Sequence, residues 1–215
     1  EIFSGLAKDE PSNPQHRFNV AQTYVNIGYM HFECGRPKQA APYLKLAREQ
    51  LDSLLSTDLE NPEYLHVLAK IQSNEGAIMA QLGELDRADD HLKAAVKVDR
   101  VLVSRYPRQS RYVVKLAIDL NEFGAYCRAR GKLLEAEAAH REAYALYSDL
   151  AAKSPNEFTY RQSLARGHGY LGFVYRERGL LALAEKEHWQ AISIMDALNQ
   201  ESPLAISPKS DLGMT

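Results

Sequence analysis

Apolar positions in this chain recur at helical spacing in runs of about twenty residues. One run carries Tyr64, Leu65, Leu68, Ile71, Ile78 and Leu82 and stops at Gly83. Asn61, just ahead of it, is a good N-cap, and Pro62 suits the first helical position, where its missing N–H costs nothing. Gly83 suits a left-handed residue at the C-terminal end. A second run holds Leu85, Ala88, Leu92, Ala95, Val98, Leu102 and Val103 and ends at Pro107. The spacing predicts helices over 62–82 and 85–105, and the same reading gives 14–34 with 37–57, 110–130 with 133–153, and 158–178 with 181–200. Asn13 and Pro14 repeat the start signal of Asn61 and Pro62.

These pairs are copies of one unit. Gly28, Gly76, Gly124 and Gly172 lie 48 residues apart, and so do Gly35, Gly83, Gly131 and Gly179. The same interval joins Ala40, Ala88, Ala136 and Ala184; Ala21, Ala69, Ala117 and Ala165; Ala47, Ala95, Ala143 and Ala191; Val20, Leu68, Leu116 and Leu164; and Leu6, Leu54, Leu102, Leu150 and Leu198. A fixed period with no insertion means a stacked repeat array. The expected fold is an all-α solenoid of antiparallel helix pairs without a sheet, divided as residues 13–60, 61–107, 108–155 and 156–203. Residues 1–12 read as the end of a preceding second helix, because Phe3, Leu6 and Pro11 precede Leu51, Leu54 and Leu59 by one interval. With no initiator Met, a longer parent with at least one more repeat upstream is expected. Residues 204–215 form a tail outside the periodicity.

The unit resembles the tetratricopeptide repeat, whose pattern is Trp-x2-Leu-Gly-x2-Tyr, then Ala-x3-Phe, then Pro, over 34 residues. In the fourth unit His168 takes the Trp place, Leu171-Gly172, Tyr175 and Ala184 match, His188 replaces Phe, and the Pro arrives late as Pro203. Adding seven residues to each helix lengthens 34 to 48, and seven residues make nearly two turns, so the faces keep their phase to within ~20°. The unit, with phrases such as GRPKQA and LLEAEAAHREAYAL, is also similar to repeats downstream of the kinase domain in large bacterial serine/threonine protein kinases. No kinase signature occurs in this chain itself. The resemblance implies a right-handed superhelix whose first helices line a concave groove for a protein or peptide.

The positions that would line that groove can be read off. They are Gln22, Asn26, Tyr29 and Phe32; Lys70, Ser73, Asn74 and Ala77; Asn121, Glu122, Ala125 and Arg128; and Arg166, Gly169, Tyr170, Phe173 and Arg176. Asn26 and Asn74 share a column, and an amide both donates and accepts, which suits it to grip a peptide backbone. Arg128, Arg166 and Arg176 make the later half basic, so an acidic or C-terminally charged ligand is expected there, anchored on Tyr170 and Phe173 beside a notch at Gly169. The family's carboxylate clamp needs Lys three residues before the repeat glycine and Asn just after it. Those places hold Val25, Ser73, Asn121 and Gly169, then Tyr29, Ala77, Ala125 and Phe173, so a clamp is not expected. The competing role is a structural spacer or self-associating array with an empty groove.

Composition narrows the function classes. A net charge of -2 gives no electrostatic footprint for nucleic acid. No apolar run approaches the ~20 residues of a membrane span, and a cytoplasmic, non-enzymatic module without cofactor or metal is expected. Gly167-His168-Gly169-Tyr170-Leu171-Gly172 satisfies G-x-G-x-x-G, yet it falls inside a helix with no preceding strand, so it carries no phosphate loop. Gly167 and Gly169 are instead read as room for a partner. His140 and His188 share a column and read as packed histidines, and Glu135 and Glu137 as a solvated face. Cys34 and Cys127 are expected as reduced thiols. Trp189 occupies the column of Lys45, Lys93 and Arg141 and should face solvent, where residues 204–215 are expected to fold back over it.

Overall fold

The computed structural model describes residues 13–201, in which every regular element is an α-helix. They run as α1 (Pro14–Glu33), α2 (Pro37–Leu55), α3 (Pro62–Leu82), α4 (Leu85–Arg105), α5 (Ser110–Ala129), α6 (Leu133–Lys153), α7 (Phe158–Glu177) and α8 (Leu181–Glu201). The chain divides after Tyr126 into two compact units. The readings of residues 1–12 as a preceding helix and of 204–215 as a fold-back tail lie outside the described residues.

Local signals account for the boundaries, which fall within two residues of those predicted. The Asn13 side chain accepts from the Gln15 N–H at 3.0 Å, and Asn61 accepts from Glu63 at 3.0 Å and Tyr64 at 3.4 Å. These bonds satisfy N–H groups that a helix start leaves unpartnered. At the other end Gly35, Gly83, Gly131 and Gly179 take φ of 69°, 81°, 71° and 75°, and no other described residue has positive φ. A side chain there would clash with the backbone, so glycine recurs wherever a first helix turns into its second.

The repeated columns are the core. Ala21, Ala69, Ala117, Ala40, Ala88, Ala136, Leu54, Leu102, Leu150 and Leu198 are all buried. Within a pair, the repeat glycine receives a side chain of the second helix: a Cβ on Gly28 would lie 3.0 Å from Leu44 Cδ2, and one on Gly76 would lie 2.7 Å from Leu92 Cγ. In the first unit α3 then covers the α1/α2 pair, packing Val67 and Ile71 against Val25, Ala47 and Leu51, with Phe18, Tyr24, Leu55, Tyr64 and Leu68 around them. Full burial of a Leu or Ile side chain contributes roughly 1.5–3 kcal/mol, so a few such positions per helix outweigh the polar contacts. Among the latter, Glu63 binds Arg111 and lies 3.3 Å from the Tyr112 hydroxyl, which ties α3 to α5.

Two expectations are corrected here. Glu137 does not lie on a solvated face: it is 6% exposed, paired with Arg141 and Arg178, and 3.4 Å from the Tyr175 hydroxyl. A carboxylate turned inward demands such partners. The space at Gly167 is filled from within, because a Cβ there would lie 3.2 Å from Tyr144 Cδ2 of α6. Gly169 faces open space. Both cysteines are free thiols, Cys34 exposed and Cys127 buried.

The two kinds of glycine should respond oppositely to a methyl group. Gly76→Ala, which forces the buried Leu92 aside, is expected to lower stability by roughly 1–3 kcal/mol. Gly169→Ala, mid-helix with nothing within 4 Å, is expected to raise it by up to about 1 kcal/mol. Thermal unfolding of the two variants reads the signs, and a neutral Gly76→Ala would contradict the tight pairing of α3 with α4.

Candidate interaction surfaces

In the first unit the sequence-predicted residues fall on α1, α3 and α5. Asn26 and Tyr29 are exposed, Tyr29 at 48%, whereas Gln22, Phe32, Lys70, Asn74, Ala77, Asn121 and Ala125 are half-buried. Glu33 hydrogen-bonds the Tyr29 hydroxyl; partial burial, then Glu33, then Glu122 raise its pKa. Asn26, Tyr29, Glu33 and Glu122 thus offer amide, aromatic and acidic groups, and nothing on them is basic. The Lys70 ammonium pKa is lowered, first by burial and next by Lys115.

Ser73 departs from expectation. It is 3% exposed, with its hydroxyl 3.0 Å from Asp119 Oδ1 and also bonded to Glu122. One hydroxyl proton serves one of these carboxylates at a time. Lys115 donates to Asp119 Oδ1, and Asp99 approaches from α4. Asp99 is 0% exposed, and neither of its oxygens nor Asp119 Oδ2 receives a hydrogen bond from the protein. A buried carboxylate with no donor is costly, and a proton held on Asp99 resolves this by donating to Asp119. Burial, then the hydrogen bond and charge of Asp119, push the Asp99 pKa well above the usual carboxylate range. Glu122 is raised too, by its surroundings and then by Asp119, although much of the residue stays open to solvent. His66, beside this network and 5.6 Å from the Tyr112 ring, falls to about 4 through burial, Lys70, Lys115 and Arg111.

A signal for this network exists in the sequence, in columns that break rather than repeat. Asp99 stands where the other units have Leu51, Tyr147 and Met195, and Asp119 where they have Thr23, Ile71 and Gly167.

In the second unit Phe173, 40% exposed, lies between two guanidinium groups, with Arg128 5.7 Å and Arg176 5.4 Å from its ring. Arg128 also donates to Glu177 at 2.5 Å, so the basic character is partly neutralised from within. Tyr170 is half-buried and stacks on His140 at 4.9 Å and 17°. Burial, then Arg128, lowers the His140 pKa to about 4. His188 sets its ring over Gly172, where a Cβ would lie 2.5 Å away, and meets Phe173 edge-on at 5.3 Å. Arg166 is not part of this group. It lies about 10 Å from Phe173 and about 15 Å from Arg176 along α7 at 1.5 Å per residue and lines a groove with Ala191, Ile192 and Met195.

Among the described residues no group of His, Cys, Asp and Glu could hold a metal ion, and no helix is long and apolar enough to cross a membrane. Among the described residues, helices packed in adjacent pairs within each unit define a tetratricopeptide-like helical-repeat fold. The chain is similar to the crystal structure of BtubC (BKLC) from P. vanneervenii, with a TM-score of 0.66 and 20% identity over 87% of this chain and 66% of that one. It is also similar to two crystal structures of MamA, at TM-scores of 0.52 and 0.53 and 17% identity, covering 92% and 96% of this chain and 87% and 85% of theirs. At these identities the likeness speaks for the fold alone. No family model matches the chain, and no curated protein matches it.

The buried titratable groups predict a two-sided pH dependence. Stability that depends on the Asp99 proton is fully present below the ordinary carboxylate range and is lost as pH rises toward the raised Asp99 value. Stability that depends on neutral His66 and His140 is present above 6.5 and is lost as pH falls toward about 4. Asp99→Asn keeps a donor toward Asp119 without needing a proton, and should gain stability at pH 8 on the order of a few kcal/mol. His140→Gln should lessen the acid-side loss, leaving the His66 part, without changing the alkaline side. Urea midpoints between pH 4 and 9 measure both, and an unchanged alkaline slope in Asp99→Asn would refute the protonated pair.

Proposed function

We propose that this chain is a non-catalytic interaction module that holds a protein or peptide against the inner faces of its first helices. The observation that carries the reading is the division of labour on those helices. Their repeated columns are buried, while Asn26, Tyr29 and Glu122 in one unit and Phe173 and Arg176 in the other stay exposed. Side chains of this kind, an aromatic flanked by charge and amide, anchor and orient a partner.

The second unit suits an acidic or C-terminally charged segment. A ligand carboxylate would take Arg176 and compete with Glu177 for Arg128, while its apolar neighbour covers Phe173. The half-buried Asn74 and exposed Asn26 would pair with ligand backbone in the first unit. The resemblance to repeats downstream of bacterial kinases supports a recruiting role within a larger, cytoplasmic parent.

Affinity capture with the chain, followed by titration of synthetic peptides from the captured partner, tests this. Phe173→Ala combined with Arg176→Ala is expected to weaken binding by about tenfold or more, equal to about 1.4 kcal/mol, while the thermal midpoint stays the same because both side chains are exposed. Unchanged affinity would remove this surface from the reading.

A further inference from the structure

The first unit carries a cationic groove at a place that the second unit fills from within. In one column of the second helices Asp89, Glu137 and Glu185 are acidic, and Ala41 is the exception. Four residues further on stand the cations Lys45, Lys93 and Arg141. Where the acid is present it turns inward and takes that cation. Half-buried Asp89 lies 2.5 Å from Lys93, and buried Glu137 pairs with Arg141 and Arg178 and lies 3.4 Å from the Tyr175 hydroxyl. Around Ala41 the cation remains and the carboxylate is gone. An open groove of about 610 Å³ lies there, lined from α2, α3 and α4, with Leu44, Ile78 and Met79 on its floor and Lys38, Lys45 and Arg87 on its rim. Met79 stands where Tyr175 stands two repeats on, so the groove and the buried glutamate occupy equivalent positions. No ion pair joins Lys38 or Lys45 to another described residue. Arg87 donates to Glu84, and the groove's own carboxylate, Glu75, is bonded by Arg48 at 2.5 Å and lies 3.3 Å from His91.

We propose that this groove docks a glutamate or aspartate side chain of a partner segment, whose carboxylate takes the place that Glu137 holds in the second unit and whose apolar neighbour covers Ala41, Pro42 and Met79. The charges are complementary: the lining brings three cations against one carboxylate, and that one is already paired. Within a recess such attraction is screened less than on open surface. Pro42, inside α2, has no N–H to give the Lys38 carbonyl. The rim therefore also offers a backbone acceptor, which suits a peptide N–H and is of no use to a free carboxylate. None of these residues belongs to the inner-face surfaces, so the two sites stand or fall separately.

The probe is the capped peptide Ac-Ala-Leu-Glu-Leu-Ala-NH2, titrated into the intact chain while backbone amide resonances are followed, with its Gln counterpart and butyrate as comparators. Saturable shifts are expected at Ala41, Lys45 and Met79 with the Glu peptide. Lys38→Ala with Lys45→Ala, both exposed side chains, should weaken its binding by about fivefold. Ala41→Glu restores the carboxylate that the column carries elsewhere, in the favourable i,i+4 order with Lys45, and should abolish the shifts while far-UV dichroism stays the same. An equal response to the Gln peptide, binding that survives both variants, or no saturable shift at these amides overturns the proposal. Butyrate binding as tightly as the peptide overturns it as well, since the groove then takes a free carboxylate and not a protein segment.

Discussion

The approach of the first helix to the second within each pair is the contact on which the other layers depend. It is set where Gly28, Gly76 and Gly172 receive Leu44, Leu92 and His188. Without a Cβ, the first helix lets a whole side chain of the second lie against its backbone, and the alanines of the neighbouring columns close the remaining gap. Once that distance is set, Ala40, Ala88 and Leu54, Leu102 are buried, and the layer presents a flat enough face for α3 to cover. The left-handed glycines at the turns make the pair antiparallel. Their role is conformational, whereas that of the repeat glycines is steric, and the two kinds differ in what surrounds them: nothing lies within 4 Å of the hypothetical Cβ on Gly35 or Gly83.

Buried polar residues occur both where a column breaks, as at Asp99 and Asp119, and within a column that is acidic in neighbouring repeats, as at Glu137, which aligns with Asp89 and Glu185. In the first unit, Asp99 and Asp119 stand in columns where other units have no acidic residue, and burial followed by Asp119 raises the Asp99 pKa, with Lys115 and Ser73 bonded to Asp119. In the second, Glu137 is buried and satisfied by two arginines and a tyrosine. The energetic cost of such networks is high if any partner is removed, and modest gains at best accompany their presence. What they add is discrimination between alternative registers. A one-unit slip of α4 against α5 would set Asp99 against Ile71 or Gly167 instead of Asp119, leaving a carboxyl group without an acceptor for its proton.

Helix limits and the buried columns were legible in the sequence because each rests on a local or periodic cause. Asn61 and Pro62 start a helix by satisfying or lacking N–H groups, Gly83 ends one through its φ, and a column of alanines is buried because it meets the next helix in every repeat. The interior of a break is not periodic. Ser73 lies in the column of Asn121 and Gly169, so its pattern reads as groove, yet its hydroxyl turns inward because Asp119 and Glu122 on α5 accept it. Likewise Glu137 reads as solvated from its helical phase, and its burial is explained by Arg178 at the C-terminal end of α7, with Arg141 and Tyr175. Periodicity finds what the repeats share, while the exceptions become visible only when unlike residues are brought face to face.

Charge on the candidate surfaces follows the same logic of local pairing. Arg128 carries Glu177, and its guanidinium also lies beside Phe173, so its positive charge is already paired within the unit. Exposed ion pairs of this kind contribute between nothing and about 1 kcal/mol, so exchanging Glu177 for the carboxylate of the proposed ligand would be nearly free in either direction. The proposed ligand would therefore gain little from charge alone. Its discrimination would come from what accompanies the charge: cover for the Phe173 ring, which packs edge-on with His188, and geometry that engages Arg176 without losing Arg128. On the proposed reading, an acidic segment lacking an apolar neighbour would merely replace Glu177, whereas one with that neighbour would also cover the part of the Phe173 ring left exposed between Arg128 and Arg176.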